Sequence, residues 1–429
     1  MDPKQHGSRS GRSTLSQLLL HQDQILKALE EGDNIDAIYL DFAKAFDKVD
    51  HGLLLNKLKN LGVKGKMGRW IQEFLSGRTQ QVLVDGKMSS IFFLLSGVPQ
   101  GSVLGPILFL IFIADIGEEL SAEAFVYVDD TKTLKKIKNV EDVIQHQTDI
   151  GKLHKWGEQN NMEYNADKFV VLRYGPNKEI IEDTIYFSGD TDEVIEEKEF
   201  TRDLGIIMQN NGSFEKHIEK VCSKVRQKSG WFYRSFYSRK PWFLRHMWNQ
   251  LIQPHIDYAS QLWFPGEGRG EGHHLEKLEK LLKDFISKIP ALQGLDYWQR
   301  VKEMKMNSEQ RRMERYKIIY TWKSLEGLVP DSGVTLAGED DRLGRRCEIR
   351  SLKPKERMKR ESSFQVSDPK LFNCLPQKLR DLKGCGVDIF KEKLDDFLCK
   401  VPDEPKIGGL MPQNSQQSNS LLWQVGRRI

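Results

Sequence analysis

Residues 38–51 read IYLDFAKAFDKVDH. Ala37 to Phe42 is a short run of β type that ends on an acid, and that pairing of strand and charge organises the rest of the reading. A carboxylate at the end of an apolar strand is held rigidly at a sheet edge, where a ligand can approach. A second segment repeats the arrangement. FVYVDD, residues 125–130, sets Asp129 and Asp130 after another apolar strand, at a hairpin turn. Two such strands side by side bring Asp41 and Asp129 together. Hard divalent cations take oxygen ligands, and Mg²⁺ is commonly held by one or two carboxylates plus substrate phosphates. Two ions about 4 Å apart activate an attacking oxygen and stabilise a leaving one in phosphoryl displacement.

The third segment is SGVPQGSVLGP, residues 96–106. Its glycines allow close approach of backbone to a ligand, and Gln100 supplies a polar group. Each segment alone has a plainer explanation: a strand-end cap, a solvated turn, an ordinary loop. Their order and combination carry the functional reading.

Around these segments the pattern alternates. Residues 12–31 read as a helix with Leu15, Leu18, Leu19, Ile25, Leu26 and Leu29 on one face and Ser13 or Thr14 as cap. His51–Leu61, Met67–Leu75 and Val140–Asn160 read as helices. Gln80–Val84, Ile91–Leu95, Phe125–Val128 and Phe169–Tyr174 read as strands, with Asp85-Gly86 as a turn. Irregular alternation of this kind predicts an α+β fold with a largely antiparallel sheet. After residue 213 the chain reads as mostly helical. Gly266–Gly272 is a linker candidate, Arg342–Arg360 is strongly basic, and the chain from Pro402 onward has the composition of a disordered tail.

The bulk numbers set limits. The 429 residues suit two or three domains, and the net charge of +4 does not by itself announce nucleic-acid binding. The five cysteines are irregularly spaced with no Cys-x-x-Cys, which argues against a disulfide framework or a zinc knuckle. The apolar run Ile107–Ala114 is too short to span a bilayer, and the polar N-terminus is no secretory signal. The expectation is an intracellular protein, cytoplasmic or nuclear, with no membrane partner. His273 and His274 show no metal-ligand spacing and read as incidental.

The three acidic and glycine-rich segments resemble the A, B and C motifs of reverse transcriptases, and the flanking words resemble those of LINE-type, jockey-like elements. These words are QHGSRSGRSTLSQLL at Gln5–Leu19, LDFAKAFDKVDH, GVPQGSVLGPILFLIFIADI and YVDDTK. Residues 156–175 resemble motif D, residues 202–218 the primer-grip motif E, and residues 371–398 a segment that often follows such domains. The likeness covers most of residues 5–265 and a patch near 370–400.

The resemblance implies a right-hand polymerase: partial fingers and palm over 1–210, a helical thumb over 211–265, a helical C-terminal region over 273–400 and a disordered tail over 401–429. It implies an RNA-directed DNA polymerase with an RNA template, a DNA primer and dNTPs as partners, and two Mg²⁺ (or Mn²⁺) ions held by Asp41, Asp129 and Asp130. Phe42, Phe46, Gln100 and Gly101 fall at substrate-binding positions. Phe46 is the steric gate against a ribose 2′-OH, with core packing as its other role. Lys168 matches a proton donor to the leaving pyrophosphate; a solvated surface lysine is the alternative. Leu204 and Gly205 fall at the primer grip.

Beyond the palm, Lys216, Lys220, Lys224, Arg226, Lys228, Arg234, Arg239 and Lys240 interleave with Trp231, Phe232, Tyr233, Phe236, Tyr237 and Trp242. The basic residues suit phosphate contacts. The aromatics are read as helix core rather than as base-stacking platforms. Arg342–Arg360 is read equally as an RNA contact, a nuclear signal or a solvated linker.

The chain also departs from the family pattern. Ser8 follows QHG where Phe is usual. Ala114-Asp115 closes motif B where asparagine-aspartate is common, and Val128 precedes the motif C aspartates where Ala is more frequent. The upstream fingers segment and an endonuclease are expected to be absent. The rival to an active polymerase is therefore a truncated remnant that only binds RNA. An RNA-dependent RNA polymerase would share the palm logic, but Phe46 at the gate argues against it.

Overall fold

Asn34–Leu40 (β1) is buried at every position, on both faces and along both edges, because it lies in the middle of a sheet. In the computed structural model, which describes residues 5–165, 168–175, 184–189, 193–265, 272–330, 349, 363–405 and 418–425, the chain falls into two units. Residues 1–17 and 31–204 form the first; residues 18–30 and 205–429 form the second.

Helix α1 (Thr14–Glu31) is divided between the two units, with residues 18–30 in the second. Ser13 caps it as expected: the Ser16 amide donates to Ser13 Oγ at 3.2 Å, and the Ser13 amide donates to Ser16 Oγ at 2.9 Å. After β1 come α2 (His51–Asn60) and α3 (Gly65–Leu75), then four two-residue strands, β2 (Thr79–Gln80), β3 (Leu83–Val84), β4 (Lys87–Met88) and β5 (Phe92–Phe93). The turn between β3 and β4 is Asp85-Gly86, both at positive φ (48° and 76°), as a tight hairpin requires. These strands are shorter than their apolar runs suggested, and Leu83, Val84, Phe92 and Phe93 are exposed.

Helix α4 (Leu104–Phe112) takes up the apolar run, followed by β6 (Glu123–Tyr127), β7 (Asp130–Ile137), α5 (Val140–Gln159), β8 (Val170–Tyr174), β9 (Glu196–Glu197) and β10 (Phe200–Asp203). The main sheet has the order β6-β7-β1-β8-β9, antiparallel except for β8–β9. The α+β expectation holds. Beneath the sheet Ile38, Leu40, Leu54, Phe109, Phe112, Leu153 and Phe169 pack in one core with α2, α4 and α5.

The second unit starts with β11 (Ile206–Gln209) and is otherwise helical. Its main helices are α6 (Glu215–Ser235), α7 (Gly272–Ile286) and α8 (Glu309–Leu325), followed by helices over 364–373 and 387–398. Ile318, Trp322, Phe372, Phe390 and Leu394 form its distal core, with Trp322 and Phe390 stacked at 4.5 Å.

One expectation is corrected here. Residues 401–405 and 418–425, read as part of a disordered tail, are packed against α8. Arg311 donates to the carbonyls of Pro402 (2.9 Å) and Asn419 (3.0 Å), Asp403 accepts from the Ser308 amide at 2.7 Å, and Leu421 is buried. Composition missed this because the segment is fastened by scattered contacts, the Arg311 and Asp403 hydrogen bonds together with Val401, Leu421, Leu422 and Val425 packed into the distal core, and not by a periodic apolar stripe. The basic stretch Arg342–Arg360, apart from Ile349, and residues 266–271 of the linker candidate lie outside the described residues. Among the described residues no helix is long and apolar enough to cross a membrane.

Candidate active site

The register of the sheet assembles the acidic site. Leu40 of β1 lies opposite Thr131 of β7, so Asp41 follows at the strand end beside Asp130. Tyr127 pairs with Asp130, leaving Val128-Asp129 as a two-residue turn. Val128 sits at φ 61°, a conformation that a β-branched residue rarely adopts. The hairpin therefore carries strain at the residue that aims Asp129.

A feature the sequence reading did not assign holds that turn. Gln5-His6-Gly7 runs along β6, with the His6 amide donating to Val126 O at 2.9 Å. The Gln5 side-chain oxygen accepts from the Val128 amide at 3.0 Å and from the Gly7 amide at 2.6 Å. A Cβ on Gly7 would lie 2.5 Å from Val128 Cγ2 and 2.8 Å from the Val128 nitrogen, so only glycine fits there. His6 is buried, its Nδ1 is 3.0 Å from Ser16 Oγ, and desolvation with Arg12, Lys132 and Arg9 nearby lowers its pKa to about 4. The QHG word was visible; the contact that gives it a role was not.

Electrostatics mark the acids as a crowded set. Burial, then repulsion from Asp41, raises the Asp129 pKa. Protein packed around its carboxylate, then Asp129, Asp41 and Asp203, raises Asp130 to about 6. Lys168 forms an ion pair with Asp41, which raises the lysine pKa. The motif D segment is pinned to the same strand end: Asn165 donates to Asp41 O at 2.9 Å, and Ala43 donates to Glu163 O at 2.9 Å. A second, buried pair joins Lys132, two residues along β7 from Asp130, to Asp203. The three aspartates do not close into one tight group; among the described residues only Glu215, His273 and His274 have ligand atoms all within 4.8 Å of one another. Three neighbouring carboxylates, of which Asp129 and Asp130 have raised pKa values, and one ammonium counter-charge fit divalent cations as the natural neutralising partner.

Phe42, at a substrate-binding position by resemblance, turns its side chain inward. Its ring is buried, stacked on Tyr164 at 4.4 Å and beside Trp156 at 6.0 Å, so its side chain is committed to the core. Phe46 is half-buried and stacks on Phe109 of α4 at 4.4 Å. The glycine-rich loop is tied beneath it: Gly97 donates to Val49 O at 2.8 Å, Val98 donates to Phe46 O at 2.9 Å, and His51 Nε2 lies 2.9 Å from Gly97 O. Gln100 is exposed and donates to Asp47 Oδ1 at 2.9 Å; Gly101, at φ 83°, faces open space. Asp115, at the altered end of motif B, accepts from Lys57 (2.8 Å) and Trp156 (2.9 Å) and so joins α2, α4 and α5. Leu204 and Gly205 follow β10 as a pair at positive φ, 44° and 90°.

In the second unit α6 is amphipathic as expected. Ile218, Val221, Val225 and Phe232 are buried; Lys220, Lys224, Arg226, Lys228 and Arg234 are exposed. The aromatics divide. Phe232 is core, but Trp231, Tyr237 and Trp242 are 45%, 94% and 62% exposed, contrary to the core reading.

An acidic hairpin beside a second acidic strand end is the arrangement expected of a polymerase-type palm, and comparison with known proteins gives it a family. Residues 1–208 match the model of the reverse transcriptase (RNA-dependent DNA polymerase) family, so the chain carries a reverse transcriptase domain. Its relatives are proteins of non-LTR retrotransposons. It is 28% identical over 319 residues to the RNA-directed DNA polymerase from mobile element jockey of Drosophila funebris, covering 70% of this chain and 33% of that protein. It is 26% identical to the Drosophila melanogaster jockey protein, covering 73% and 36%, and 37% identical over 112 residues to the probable RNA-directed DNA polymerase from transposon BS of Drosophila melanogaster, covering 26% and 12%. The chain spans about a third of the length of the curated relatives that it matches most extensively. Similar solved structures include telomerase from Candida albicans in complex with a fragment of telomeric RNA (13% identity, TM-score 0.39, 68% of this chain and 54% of that one). Apo telomerase from Candida tropicalis is another (12% identity, TM-score 0.37, 76% and 56%).

Proposed function

We propose that this chain is the polymerase core of a retrotransposon reverse transcriptase, which extends a DNA primer on an RNA template with dNTPs inside the cell. The observation that carries the proposal is the convergence of Asp41, Asp129 and Asp130 at the ends of β1, β6 and β7.

Asp41, Asp129 and Asp130 would hold two divalent cations, Mg²⁺ or Mn²⁺, with Asp130 in support. When bound, such ions supply activation of the primer 3′-OH and stabilisation of the leaving pyrophosphate. The chain's own residues do the rest. Gln5 holds the turn that aims Asp129. The ring of Phe46, backed by Phe109, crowds a ribose 2′-OH and favours dNTPs. Gln100 and Gly101 line the nascent base pair. Lys168, already at Asp41, donates a proton to the departing pyrophosphate. Leu204 and Gly205 support the primer end. The exposed basic face of α6 grips phosphates, and Trp231, Tyr237 and Trp242 offer stacking surfaces to unpaired bases.

The deciding experiment is primer extension on an RNA template with dNTPs and Mg²⁺, using the wild type and Asp129→Asn. Synthesis by the wild type alone is expected. No synthesis by either, from folded protein that retains salt-sensitive RNA binding, would leave a binding remnant in place of the polymerase; equal synthesis by both would remove Asp129 from the catalytic set.

A further inference from the structure

The starts of α6 and α7 lie together within the second unit and carry a ligand set unrelated to the aspartates. Glu215 opens α6; His273 and His274 are the second and third residues of α7. The ligand atoms of these three side chains all lie within 4.8 Å of one another. The two imidazole rings are 3.8 Å apart, centroid to centroid. His274 is only 9% exposed, and its Nδ1 is buried with no hydrogen-bond partner. A buried ring nitrogen left unsatisfied destabilises the fold unless a ligand takes it up.

We propose that Glu215, His273 and His274 bind a divalent transition metal, with Zn²⁺ the best chemical match. Two imidazoles and one carboxylate suit zinc, whereas Mg²⁺ and Ca²⁺ prefer oxygen alone. Tetrahedral bonds of about 2.0–2.1 Å place ligand atoms about 3.3 Å apart. Glu215 and His273 are exposed and rotate to close that gap around the fixed ring of His274. Both helices aim their positive N-terminal ends at the site, which opposes a cation; the charges of Glu215 and nearby Glu219 offset this. The fourth position is left to water. Bound metal would tie the start of α6, and so its basic face, to α7. The reading of His273-His274 as incidental missed the site because the third ligand comes from a different helix.

The test is titration of the full chain with Co²⁺ in excess Mg²⁺, which saturates all-oxygen sites, followed by visible absorption and displacement with Zn²⁺. One equivalent of Co²⁺ with a ligand-field spectrum abolished by Zn²⁺ is expected. Loss of an outer-shell partner alone weakens metal binding on the order of tenfold, so Glu215→Gln and His273→Ala should each lower affinity by more than that. Both residues are exposed, and unchanged metal-free melting of the variants would show that they fold. No Co²⁺ uptake by the wild type, or the same affinity and spectrum in wild type and both variants, overturns the proposal.

Discussion

The side-chain oxygen of Gln5 sits 3.0 Å from the amide nitrogen of Val128 and accepts its hydrogen bond, fixing the turn that presents Asp129. Because Val128 is held at φ 61°, the turn has no intrinsic preference for this shape and depends on that outside contact. Gln5→Ala is expected to lower kcat for primer extension by about 10- to 100-fold, the scale of a displacement near 1 Å at reacting groups. RNA affinity should stay unchanged, because Gln5 is buried beneath the hairpin. Gly7→Ala should behave alike, since its methyl would push on Val128. Wild-type kcat in Gln5→Ala would show that the contact does not position the aspartate.

Lys168 occupies an oxygen of Asp41 that a divalent cation would otherwise use. Lys168→Ala removes that competitor. Half-saturating Mg²⁺ for extension should fall, by less than about fivefold, as befits an exposed ion pair. The rate at saturating Mg²⁺ should fall by on the order of 100-fold if the lysine protonates pyrophosphate. A saturated rate equal to wild type would reduce Lys168 to a counter-ion.

Phe46 is braced by its stacking on Phe109, which would hold the ring in place for the proposed gate against a ribose 2′-OH. Phe46→Val should lower the preference for dNTPs over rNTPs by on the order of tenfold, measured as the ratio of kcat/KM values. An unaltered ratio would assign the ring to packing alone.

Gly97 lies at φ 82°, and a Cβ there would meet Asp47 O at 2.8 Å and Asp47 Cα at 2.9 Å. Both contacts are backbone and cannot rotate away. Gly97→Ala is expected to cost about 2–4 kcal/mol in denaturant unfolding. A loss under about 0.5 kcal/mol, the range of unconstrained surface changes, would mean that the loop relaxes freely.

Two buried carboxylates in the second unit predict an unusual pH dependence. Glu279 accepts from the Glu309 amide at 3.0 Å, and Gln253 donates to Glu309 at 2.9 Å. Burial, then repulsion from Glu279, pushes Glu309 up to about 8, and burial pushes Glu279 up to about 7. An acid whose pKa is raised on folding stabilises the fold most below its unfolded value, and that contribution is lost as pH rises through the folded value. The stability difference between wild type and Glu309→Gln should therefore move against the wild type from about pH 5 to pH 8, by up to about 1.4 kcal/mol per unit. Taking the difference removes the opposing trend from buried His217, whose pKa is lowered to about 4. A difference independent of pH would mean that Glu309 titrates normally.

Much of this molecule was written in local pattern. Apolar runs ending on acids gave β1 and the β6–β7 hairpin, Asp85-Gly86 gave the turn between β3 and β4, and Ser13 gave the cap of α1. These features rest on periodicity and on backbone preferences of single residues, which neighbours in sequence determine. The words around Asp41, Gln100 and Asp129 also named the family. What no local rule could give were contacts between distant segments: Gln5 on the Val128 amide, Lys168 on Asp41, Phe42 turned into the core against Tyr164, Arg311 fastening residues 402 and 419, and Glu215 beside His273 and His274. Side-chain hydrogen bonds and burial depend on which surfaces meet when the chain closes, and only the tertiary structure decides that.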